Sequence, residues 1–332
     1  MLDITALGEI LIDFTPGGET PDGFKLFIRN PGGAPANLLA QASACGAKTA
    51  FIGKAGADEF GRYLKETLET HGVAARGLRF APRTLTTIAF VHLGKDGAKS
   101  FSFCREPGAD ATLRPEEVDL RLVAKTRIFH FGTLSLTGEP CRSATVAALE
   151  TARRSGALVS FDPNWRPFLW PGKDSFRAQA LAVLNRVDIL KVSAAEAEIL
   201  TGIPDGAREA ARALAALGPR AVLLSLGSQG ARLLAPGIEA FCPPYPVEPL
   251  DTTGAGDAFF GAILASICLE GAGEGHLALD ARPPGLWKKS LALGAAAGAL
   301  ACTRKGGMGA AGPFAETEKA ASELLPLVIS LQ

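Results

Sequence analysis

The chain has 332 residues, of which 47% are hydrophobic, and its 34 Lys and Arg residues balance its 34 Asp and Glu residues. This length suffices for one large domain or two modest domains with a buried core. Because the charge is balanced and no basic block occurs, we expect neither nucleic acid nor an acidic membrane surface as a partner. Small molecules are the expected ligands.

Cysteine usage and hydropathy indicate the compartment. The six cysteines are dispersed and include no C-x-x-C pair, so neither a disulfide framework nor a zinc site is expected. The N-terminus lacks the zones of a signal peptide, and the longest stretch of low charge, Ser290–Thr303, is too short to cross a bilayer. We therefore expect a cytoplasmic protein without a membrane segment.

Apolar runs of strand length alternate along the chain with amphipathic segments of helix length. The predicted strands are Ile4–Phe14, Thr49–Gly53, Arg127–Phe131, Ala157–Phe161, Val187–Val192 and Ala221–Leu226. The predicted helices include Ala34–Cys45, Glu59–His71, Cys141–Ser155, Phe176–Arg186, Ala207–Leu217 and Lys288–Thr303. Repeated strand and helix units predict a three-layer α/β/α fold, in which helices cover both faces of a mostly parallel central sheet.

Two segments interrupt this alternation. Thr86–Leu93 and Lys99–Cys104 alternate apolar and polar residues around the turn Gly94-Lys95-Asp96-Gly97, which predicts a β-hairpin. Gly17–Asn30 is rich in Gly, Pro and charge and is predicted to be irregular. We expect residues 17–30 and 83–105 to form a small β lid over the carboxyl edge of the main sheet, where open α/β sheets bind ligands. Residues 1–16, 31–82 and 106–332 then form the core; a surface hairpin without a binding role is the alternative.

The run Asp251–Asp257 (Asp-Thr-Thr-Gly-Ala-Gly-Asp) carries the strongest chemical signal, and the apolar stretch Ala258–Leu269 follows it directly. The glycines allow a sharp turn, and the helix start behind them offers N–H groups and a positive dipole end to an anion. Asp257 falls in the first turn of that helix, where we expect it to stay ionised and to accept a proton from a hydroxyl. The pattern predicts phosphoryl transfer to an alcohol; a glycine-rich connection capped by an acid is the alternative.

Other nucleotide-binding motifs are missing from the sequence. Each Gly-Lys pair is followed by Ala or Asp rather than Ser or Thr, so no Walker A loop is present. A formal G-x-G-x-x-G at Gly307, Gly309 and Gly312 has Pro313 next and no following β-α-β unit, so it does not predict a dinucleotide site. No H-E-x-x-H motif accompanies the four histidines. Any metal is therefore expected to bind through substrate phosphates.

Two long signatures identify a resemblance. The first runs from Asn30-Pro31-Gly32-Gly33-Ala34-Pro35-Ala36-Asn37 to Gly53–Gly61, and the second covers Asp251–Gly261. Through them the chain resembles the ribokinase-like (PfkB) carbohydrate kinases, and among these the fructokinases. The similarity extends over nearly the whole chain except Gly271–Gly285, which reads as an inserted surface loop. It implies the ribokinase-like fold with its β-sheet lid.

The resemblance also implies roles for single residues at the sugar end. Asp257 matches the catalytic base of the family, and Gly254, Ala255 and Gly256 match the anion hole for the migrating phosphoryl group. The family's hydroxyl-binding set is matched by Asp13, Gly32, Gly33 and Asn37. The positions that face the substrate or its phosphate are matched by Arg105 and Arg166.

The nucleotide end is implied in the same way, with ATP as donor. Ser193-Ala194-Ala195-Glu196 stands where much of the family has N-x-x-E, so Glu196 is expected to hold Mg²⁺ through water. The other positions that match nucleotide contacts are Lys191, Ser193, Ser225, Gly227, Gly230 and Ala301. Asp251, Thr253 and Gly306 match a potassium site found in many relatives. The Asn that the family often has near Ala295 is missing.

Several activities remain open at this stage. ATP-dependent phosphorylation of D-fructose to fructose 6-phosphate is favoured, and 2-keto-3-deoxygluconate kinase is the alternative, ahead of ribokinase. The acidic substrate of 2-keto-3-deoxygluconate kinase would require cationic and aromatic lid residues. Here Cys104 and His92 stand near Arg105, where ketodeoxygluconate kinases tend to have tyrosines, so a neutral sugar is preferred. A carbohydrate sensor without catalysis is the alternative of a different class. A hairpin lid exposes sheet edges and an apolar face that must cover either the sugar or the lid of a second subunit. Because relatives often pair these lids into dimers, the resemblance implies a homodimer through the lid.

Overall fold

Within the residues that the computed structural model describes (1–93, 99–271 and 277–331), fourteen strands form two sheets. The strands are β1 (Leu2–Leu7), β2 (Leu11–Glu19), β3 (Lys25–Gly32), β4 (Thr49–Gly56), β5 (Val73–Ala81), β6 (Ile88–Leu93), β7 (Lys99–Cys104), β8 (Thr126–Gly132), β9 (Leu158–Asp162), β10 (Ile189–Ser193), β11 (Ala221–Ser225), β12 (Ala231–Ala235), β13 (Ile238–Cys242) and β14 (Ile329–Ser330). The larger sheet has the order β14-β13-β12-β11-β10-β9-β8-β1-β4-β5. Seven neighbouring strands of this sheet run parallel: β11, β10, β9, β8, β1, β4 and β5. At one edge, β12, β13 and β14 add antiparallel pairs.

Helices cover both faces of this sheet. They are α1 (Ala34–Ala44), α2 (Glu59–Thr70), α3 (Leu120–Ala124), α4 (Cys141–Arg154), α5 (Lys173–Leu184), α6 (Ala194–Thr201), α7 (Ala207–Ala215), α8 (Ala255–Glu270), α9 (Pro284–Ala301) and α10 (Phe314–Leu324). Neighbouring residues of one strand belong to opposite cores: Ile128 packs with α1 and α8, and Phe129 packs with α4. Because side chains alternate along a strand, apolar residues at every strand position produce two cores. The predicted three-layer α/β/α architecture is confirmed.

The smaller sheet has the order β3-β2-β6-β7. β2 runs antiparallel to β3 and parallel to β6, and β6 and β7 pair as an antiparallel hairpin with Ile88 opposite Cys104. This confirms the predicted hairpin pairing, while its turn at residues 94–97 lies outside the described residues. The division of the chain into core and lid stays a prediction.

The structure corrects the predicted strand Ile4–Phe14. It is two strands, since β1 ends at Leu7 in the large sheet and β2 begins at Leu11 in the small one. Gly8 lies at the break, where a Cβ atom would come within 2.6 Å of the Pro35 ring. The apolar run hid this break because both strands are buried at their junction. The prediction of an irregular Gly17–Asn30 is also wrong, since β2 and β3 occupy most of it.

The segment Gly271–Gly285 also differs from its prediction as a surface loop. Residues 272–276 lie outside the described part of the chain, but α9 already begins at Pro284 rather than at Lys288. Arg282 is buried, and its guanidinium donates to the Glu270 carboxylate and the Ser290 hydroxyl. This end of the segment therefore ties α8 to α9. None of the described helices is long and apolar enough to span a membrane.

Helices α1 and α8 bring two helix starts to one place beside the small sheet. They pack closely at Gly261, where a Cβ atom would lie 2.4 Å from the carbonyl oxygen of Leu38. Each begins after a glycine with positive φ, Gly33 at 115° and Gly254 at 81°. Such φ values favour glycine because it has no Cβ. The two N-termini consequently start side by side.

Candidate active site

The turn before α8 has the geometry that its sequence predicts. Gly254 adopts the left-handed conformation, and a Cβ there would lie 3.3 Å from the Cα of Gly307. Asp251 accepts hydrogen bonds from the N–H and the hydroxyl of Thr253 at 3.0 and 2.7 Å, which fixes the chain entering the turn. The first N–H groups of a helix have no partner within the helix, so this start can receive an anion.

Asp257 is the buried carboxylate in the first turn of α8. Its Oδ2 accepts a hydrogen bond of 2.8 Å from the Nδ2 of Asn37 on α1. Burial raises the pKa of Asp257 above its ordinary value, and the Asn37 hydrogen bond, Lys191 and Arg166 oppose the rise. Burial thus acts against the ionised form that the helix start was expected to favour. A carboxylate with a raised pKa is a stronger base.

Asn37 connects Asp257 to the loop before α10. A Cβ at Gly307 would come within 2.4 Å of the Asn37 Oδ1, so this glycine lets the amide fit. That Oδ1 is buried and has no hydrogen-bond partner within the described residues. Because a buried polar atom without a partner is costly, it marks a place for a donor such as a hydroxyl. Asn37 was predicted to bind the sugar, and its hold on Asp257 was not.

Asp13 and Gly32 meet across the small sheet. A Cβ at Gly32 would lie 2.2 Å from the Asp13 Oδ2, so the Asp13 carboxylate packs directly against the backbone of a residue without a side chain. Burial raises the pKa of Asp13 to about 6, and Arg166 opposes the rise. The carboxylate of Asp257 also raises the pKa of Asp13, and Arg166 interacts with both carboxylates. These interactions indicate that Asp13, Arg166 and Asp257 surround one space. The structure therefore brings these predicted residues together.

Glu9 is a buried carboxylate that the sequence analysis missed. It lies between β1 and β2, and its Oε1 accepts the N–H of Ala34 at 2.9 Å, which caps α1. A Cβ at Gly33 would lie 2.4 Å from the Glu9 carbonyl oxygen. Burial raises the pKa of Glu9 to about 7, since hydrogen bonds and Arg166 offset only part of it. The only signal for Glu9 in the sequence is its charge inside an apolar predicted strand, where a side chain is expected to be buried.

Arg105 is held by a buried ion pair at the base of the lid. Its Nε donates to the Asp110 Oδ2 at 2.8 Å, and the two side chains are 8% and 2% exposed. Its other nitrogens donate to the Thr137 hydroxyl and the Leu134 carbonyl, both at 3.2 Å. Asp110 and Glu9 both interact with it electrostatically. Arg105 is therefore linked to the site through Glu9, but most of its hydrogen-bonding capacity is used within the protein.

Lys191 brings a cation to the anion-binding turn. Its Nζ donates to the Asp162 Oδ2 at 2.8 Å and lies where a Cβ at Gly256 would be 2.8 Å away. Burial opposes its charge, but the carboxylates around it, Asp162 first, raise the pKa of Lys191 above its ordinary value. It is therefore a charged ammonium beside the backbone that is predicted to hold the phosphoryl group.

Both carboxylate oxygens of Glu196 accept hydrogen bonds from other groups of the protein. Oε1 accepts the N–H of Trp165 at 2.7 Å, and Oε2 accepts the N–H and hydroxyl of Ser193 at 2.7 and 2.8 Å. Burial disfavours its charge, but Lys191 and these hydrogen bonds hold the pKa of Glu196 below its ordinary value. Within the described residues, no group of three or more His, Cys, Asp and Glu residues could hold a metal ion. A Mg²⁺ ion here would depend on phosphate oxygens and water, with Glu196 in the outer shell.

An apolar cleft of about 500 Å³ opens from this turn. Ala255 and Gly256 line one end, so the cleft and the helix start are continuous. Its other lining residues are Ser225, Gly227, Ser228, Gly230, Ala231, Pro244, Tyr245, Pro246, Val247, Pro249, Thr252, Phe259, Ala295, Gly298, Ala299 and Cys302. This size and lining suit a purine base and ribose.

Of the seven predicted nucleotide residues, Lys191, Ser193 and Glu196 do not line the cleft, and the other four divide into two groups. Ser225, Gly227 and Gly230 line the cleft, as the resemblance implied. Ala301 does not line it: this residue is buried against Ala258 and Ala310. The helical period explains the difference, because Ala295, Gly298, Ala299 and Cys302 form the face of α9 that lines the cleft, and Ala301 points away.

The residues of the implied potassium site lie together. The Oδ2 of Asp251 accepts the N–H of Gly306 at 3.2 Å, and its Oδ1 binds Thr253. Gly306 has a φ of 84°, and a Cβ there would lie 2.9 Å from the Asn30 Oδ1. Carboxylate and backbone oxygens in such a turn are suitable ligands for a hard cation. The arrangement fits the implied ion without testing it.

The fold has a parallel sheet with a small second sheet. Its candidate site joins a polar, carboxylate-lined end to a helix start that can receive an anion. This combination is typical of kinases that phosphorylate small alcohols. The chain belongs to the pfkB family of carbohydrate kinases, whose model matches residues 1–311. The resemblance predicted from the sequence is thereby confirmed, and the protein is an ATP-dependent carbohydrate kinase.

Similar proteins agree with this class. "Probable fructokinase-4" of Arabidopsis thaliana is 40% identical over 327 residues, which cover 97% of this chain and 96% of the relative. The structure of a fructokinase with bound ATP from Xylella fastidiosa superposes with a TM-score of 0.87 at 30% identity and covers 97% of this chain and 98% of its own. A double-mutant fructokinase from Vibrio cholerae O395, in a fructose-, ADP- and potassium-bound form, has a TM-score of 0.83 at 29% identity and covers 98% of both chains.

The buried Glu9 predicts a pH dependence of stability. Its pKa of about 7 in the folded state exceeds the ordinary 4.5, so folding favours the protonated form. The stabilisation is present below the unfolded pKa and is lost as the pH rises through about 7. Glu9→Gln keeps the acceptor for Ala34 without a charge. We expect the wild type to lose up to ~3 kcal/mol more unfolding free energy than this variant between about pH 5 and about pH 8.

Urea unfolding across that pH range measures this difference. Glu150→Gln, at an exposed position of α4, is the control and should follow the wild type. Parallel curves for Glu9→Gln and the wild type would contradict the raised pKa.

The contact between Gly256 and Lys191 predicts a selective loss of ATP use. In Gly256→Ala the new methyl group would lie 2.8 Å from the Lys191 Nζ and displace the ammonium from the turn. Because a flexible side chain can move, we expect little change in melting temperature but a fall of roughly tenfold or more in kcat/KM for ATP. Gly138→Ala is the control, since no atom lies within 4 Å of a Cβ there. Equal kinetics for the two variants would refute the proposed role of this contact.

Proposed function

We propose that the protein transfers the γ-phosphoryl group of ATP to the 6-hydroxyl of D-fructose, with Asp257 as general base. One observation carries the proposal. Asn37 holds the Asp257 carboxylate, at 2.8 Å, between the carboxylate-lined space at Asp13 and the helix start where the apolar cleft ends. A base placed between an alcohol site and a phosphate site is what this transfer requires.

The residues of the chain would divide the reaction between them. Asp257 accepts the proton of the sugar hydroxyl as the oxygen attacks phosphorus, and the bond to the β-phosphate oxygen of ATP breaks to release ADP. The N–H groups that follow Gly254 and the ammonium of Lys191 stabilise the charge on the moving phosphoryl group. Asn37 orients the base. Burial, which raises the pKa of Asp257, strengthens its attraction for the proton.

The charges of the sugar end support a neutral substrate. The electrostatic contacts of Arg105 and Arg166 link them to the four carboxylates Glu9, Asp13, Asp110 and Asp257. This excess of negative charge disfavours a sugar acid, so the 2-keto-3-deoxygluconate kinase alternative is not favoured. The similar proteins named fructokinase support fructose as the neutral sugar. The intact base and helix start argue against a sensor without catalysis.

Two cations complete the proposal. Glu196 would hold Mg²⁺ through water beside the phosphates of ATP, and the ion would neutralise phosphate charge there. Asp251, Thr253 and Gly306 would hold potassium at their turn. The potassium-bound fructokinase from Vibrio cholerae O395 supports this second site. Both ions act here through residues outside the sugar end.

An ADP-release assay tests the function. We expect the wild type to phosphorylate D-fructose with a higher kcat/KM than 2-keto-3-deoxygluconate, ribose or adenosine. In Asp257→Ala, kcat for fructose should fall by a factor on the order of 10² to 10⁴ with little change in the KM for the sugar, because the base acts mainly in the transition state. Asp174→Asn, an exposed acid in the first turn of α5, is the control. Near-normal turnover by Asp257→Ala would refute the assignment.

The proposal extends to assembly and compartment. The small sheet and the turn before β3 expose large apolar side chains, among them Phe24 at 70%, Leu26 at 45% and Phe27 at 44%. A patch of this kind is typical of a protein interface, so we propose a homodimer in which the small sheets of two copies cover each other. All six cysteines are thiols that form no disulfide, which suits the reducing cytoplasm.

The dimer predicts a response to charge on this patch. Phe24→Asp with Leu26→Asp should convert a dimer to a monomer at micromolar concentration, because both charges would be buried in the interface. Light scattering measures the mass. The control is Leu217→Asp, at a position that is 47% exposed after α7. A wild-type monomer at these concentrations would overturn the pairing.

A further inference from the structure

The Arg105–Asp110 ion pair is built into the base of the small sheet. Arg105 directly follows β7, and Asp110 lies in a short 3₁₀ helix after it. Asp110 binds through both oxygens, since its Oδ2 accepts from Arg105 and its Oδ1 accepts from the Thr87 hydroxyl. A Cβ at Gly108 would come within 1.8 Å of the same hydroxyl, so the pair is closely enclosed. Both groups are fixed with little freedom to move.

Electrostatic interactions link this pair to the sugar end. Glu9 interacts electrostatically with both Arg105 and Asp110, and Glu9 also interacts with Arg166. Arg166 in turn interacts with Asp13 and Asp257. The pair therefore belongs to the same charged neighbourhood as the base, although Asp110 has no place in the catalytic step.

A free Arg105 would be a suitable partner for a substrate carboxylate. Guanidinium groups bind carboxylates in a bidentate manner, and a buried one is weakly screened. In this protein Asp110 occupies that role, with one carboxylate oxygen at 2.8 Å from the guanidinium. The positive charge is thus neutralised by the protein before any ligand enters.

We propose that Asp110 is a specificity-determining residue, which makes the site select neutral ketohexoses and exclude sugar acids by neutralising Arg105. This inference rests on the proposed sugar kinase function and adds a residue that acts on substrate choice through Arg105. The carboxylate of Asp110 cancels the positive charge of Arg105, and an uncharged residue at position 110 would leave that charge unpaired.

A matched pair of sugars isolates the effect of charge. D-Fructose and 2-keto-D-gluconate differ only at C1, which is a hydroxymethyl group in the first and a carboxylate in the second. We define the discrimination as the inhibition constant of 2-keto-D-gluconate against fructose divided by the KM for fructose. A unit charge several ångströms away at an effective dielectric constant of about 20 changes such a ratio by roughly tenfold or more.

Four proteins test the proposal: the wild type, Asp110→Asn, Arg105→Gln and the variant with both changes. Asn keeps acceptors and donors for Arg105 and Thr87, so Asp110→Asn unmasks the cation and should lower the discrimination roughly tenfold. Arg105→Gln leaves Asp110 uncompensated and should raise it. The double variant restores the neutral pair and should return within about threefold of the wild type.

Thr137→Val is the control for packing. It removes one hydrogen bond of Arg105 and changes no charge, so the discrimination should stay within about twofold of the wild type. Melting temperatures identify any variant that fails to fold, and the proposal is then decided by the remaining single variant. Discrimination that does not follow the net charge of the pair would overturn the proposal.

The proposed function fails separately. A wild type that does not phosphorylate fructose refutes that function, whereas fructose turnover with an unchanged ratio in Asp110→Asn refutes only the role of Asp110.

Discussion

The site depends on the close contact of helices α1 and α8. At Gly261 the backbones of the two helices approach so closely that a Cβ would meet the Leu38 carbonyl at 2.4 Å. This contact brings Asn37 within 2.8 Å of Asp257, so a residue of the first signature orients the base in the second. The two signatures stand far apart in the sequence but form one structural unit. Glycines at the start of each helix then leave the backbone open toward a ligand.

Concentrating charge in this way has a thermodynamic cost. Glu9 and Asp13 both have pKa values raised by burial, and the charged Lys191 is enclosed with three carboxylates. Burying charges in a folded protein is unfavourable unless they are paired and hydrogen-bonded. Substrate hydroxyls and phosphates can supply the missing partners, so the ligands stabilise the site that binds them. Stability and function are consequently linked at the same residues.

Much of the fold and part of the site could be predicted from sequence. The strand and helix periods gave the layered sheet, and Gly254 to Asp257 gave the helix start, because turn glycines and caps are local signals. Glu9, the partnership of Asn37 with Asp257, and the Asp110 pair could not be found, since they depend on contacts between distant segments. The break between β1 and β2 was missed because two buried strands read as one apolar run. Ala301 does not line the cleft, because the position of a residue around a helix is not specified by a motif match.

The chain leaves the large sheet after β1, and β2 carries Asp13 in the small sheet, where it pairs with β3 and β6. Asp257, in contrast, belongs to α8 and the large core. A sugar bound to both carboxylates would therefore tie the two sheets together like a crosslink. Without it, any outward swing of the small sheet would separate the hydroxyl-binding side from the base. Such a swing would make water a poor substitute for the sugar and would protect ATP from futile hydrolysis.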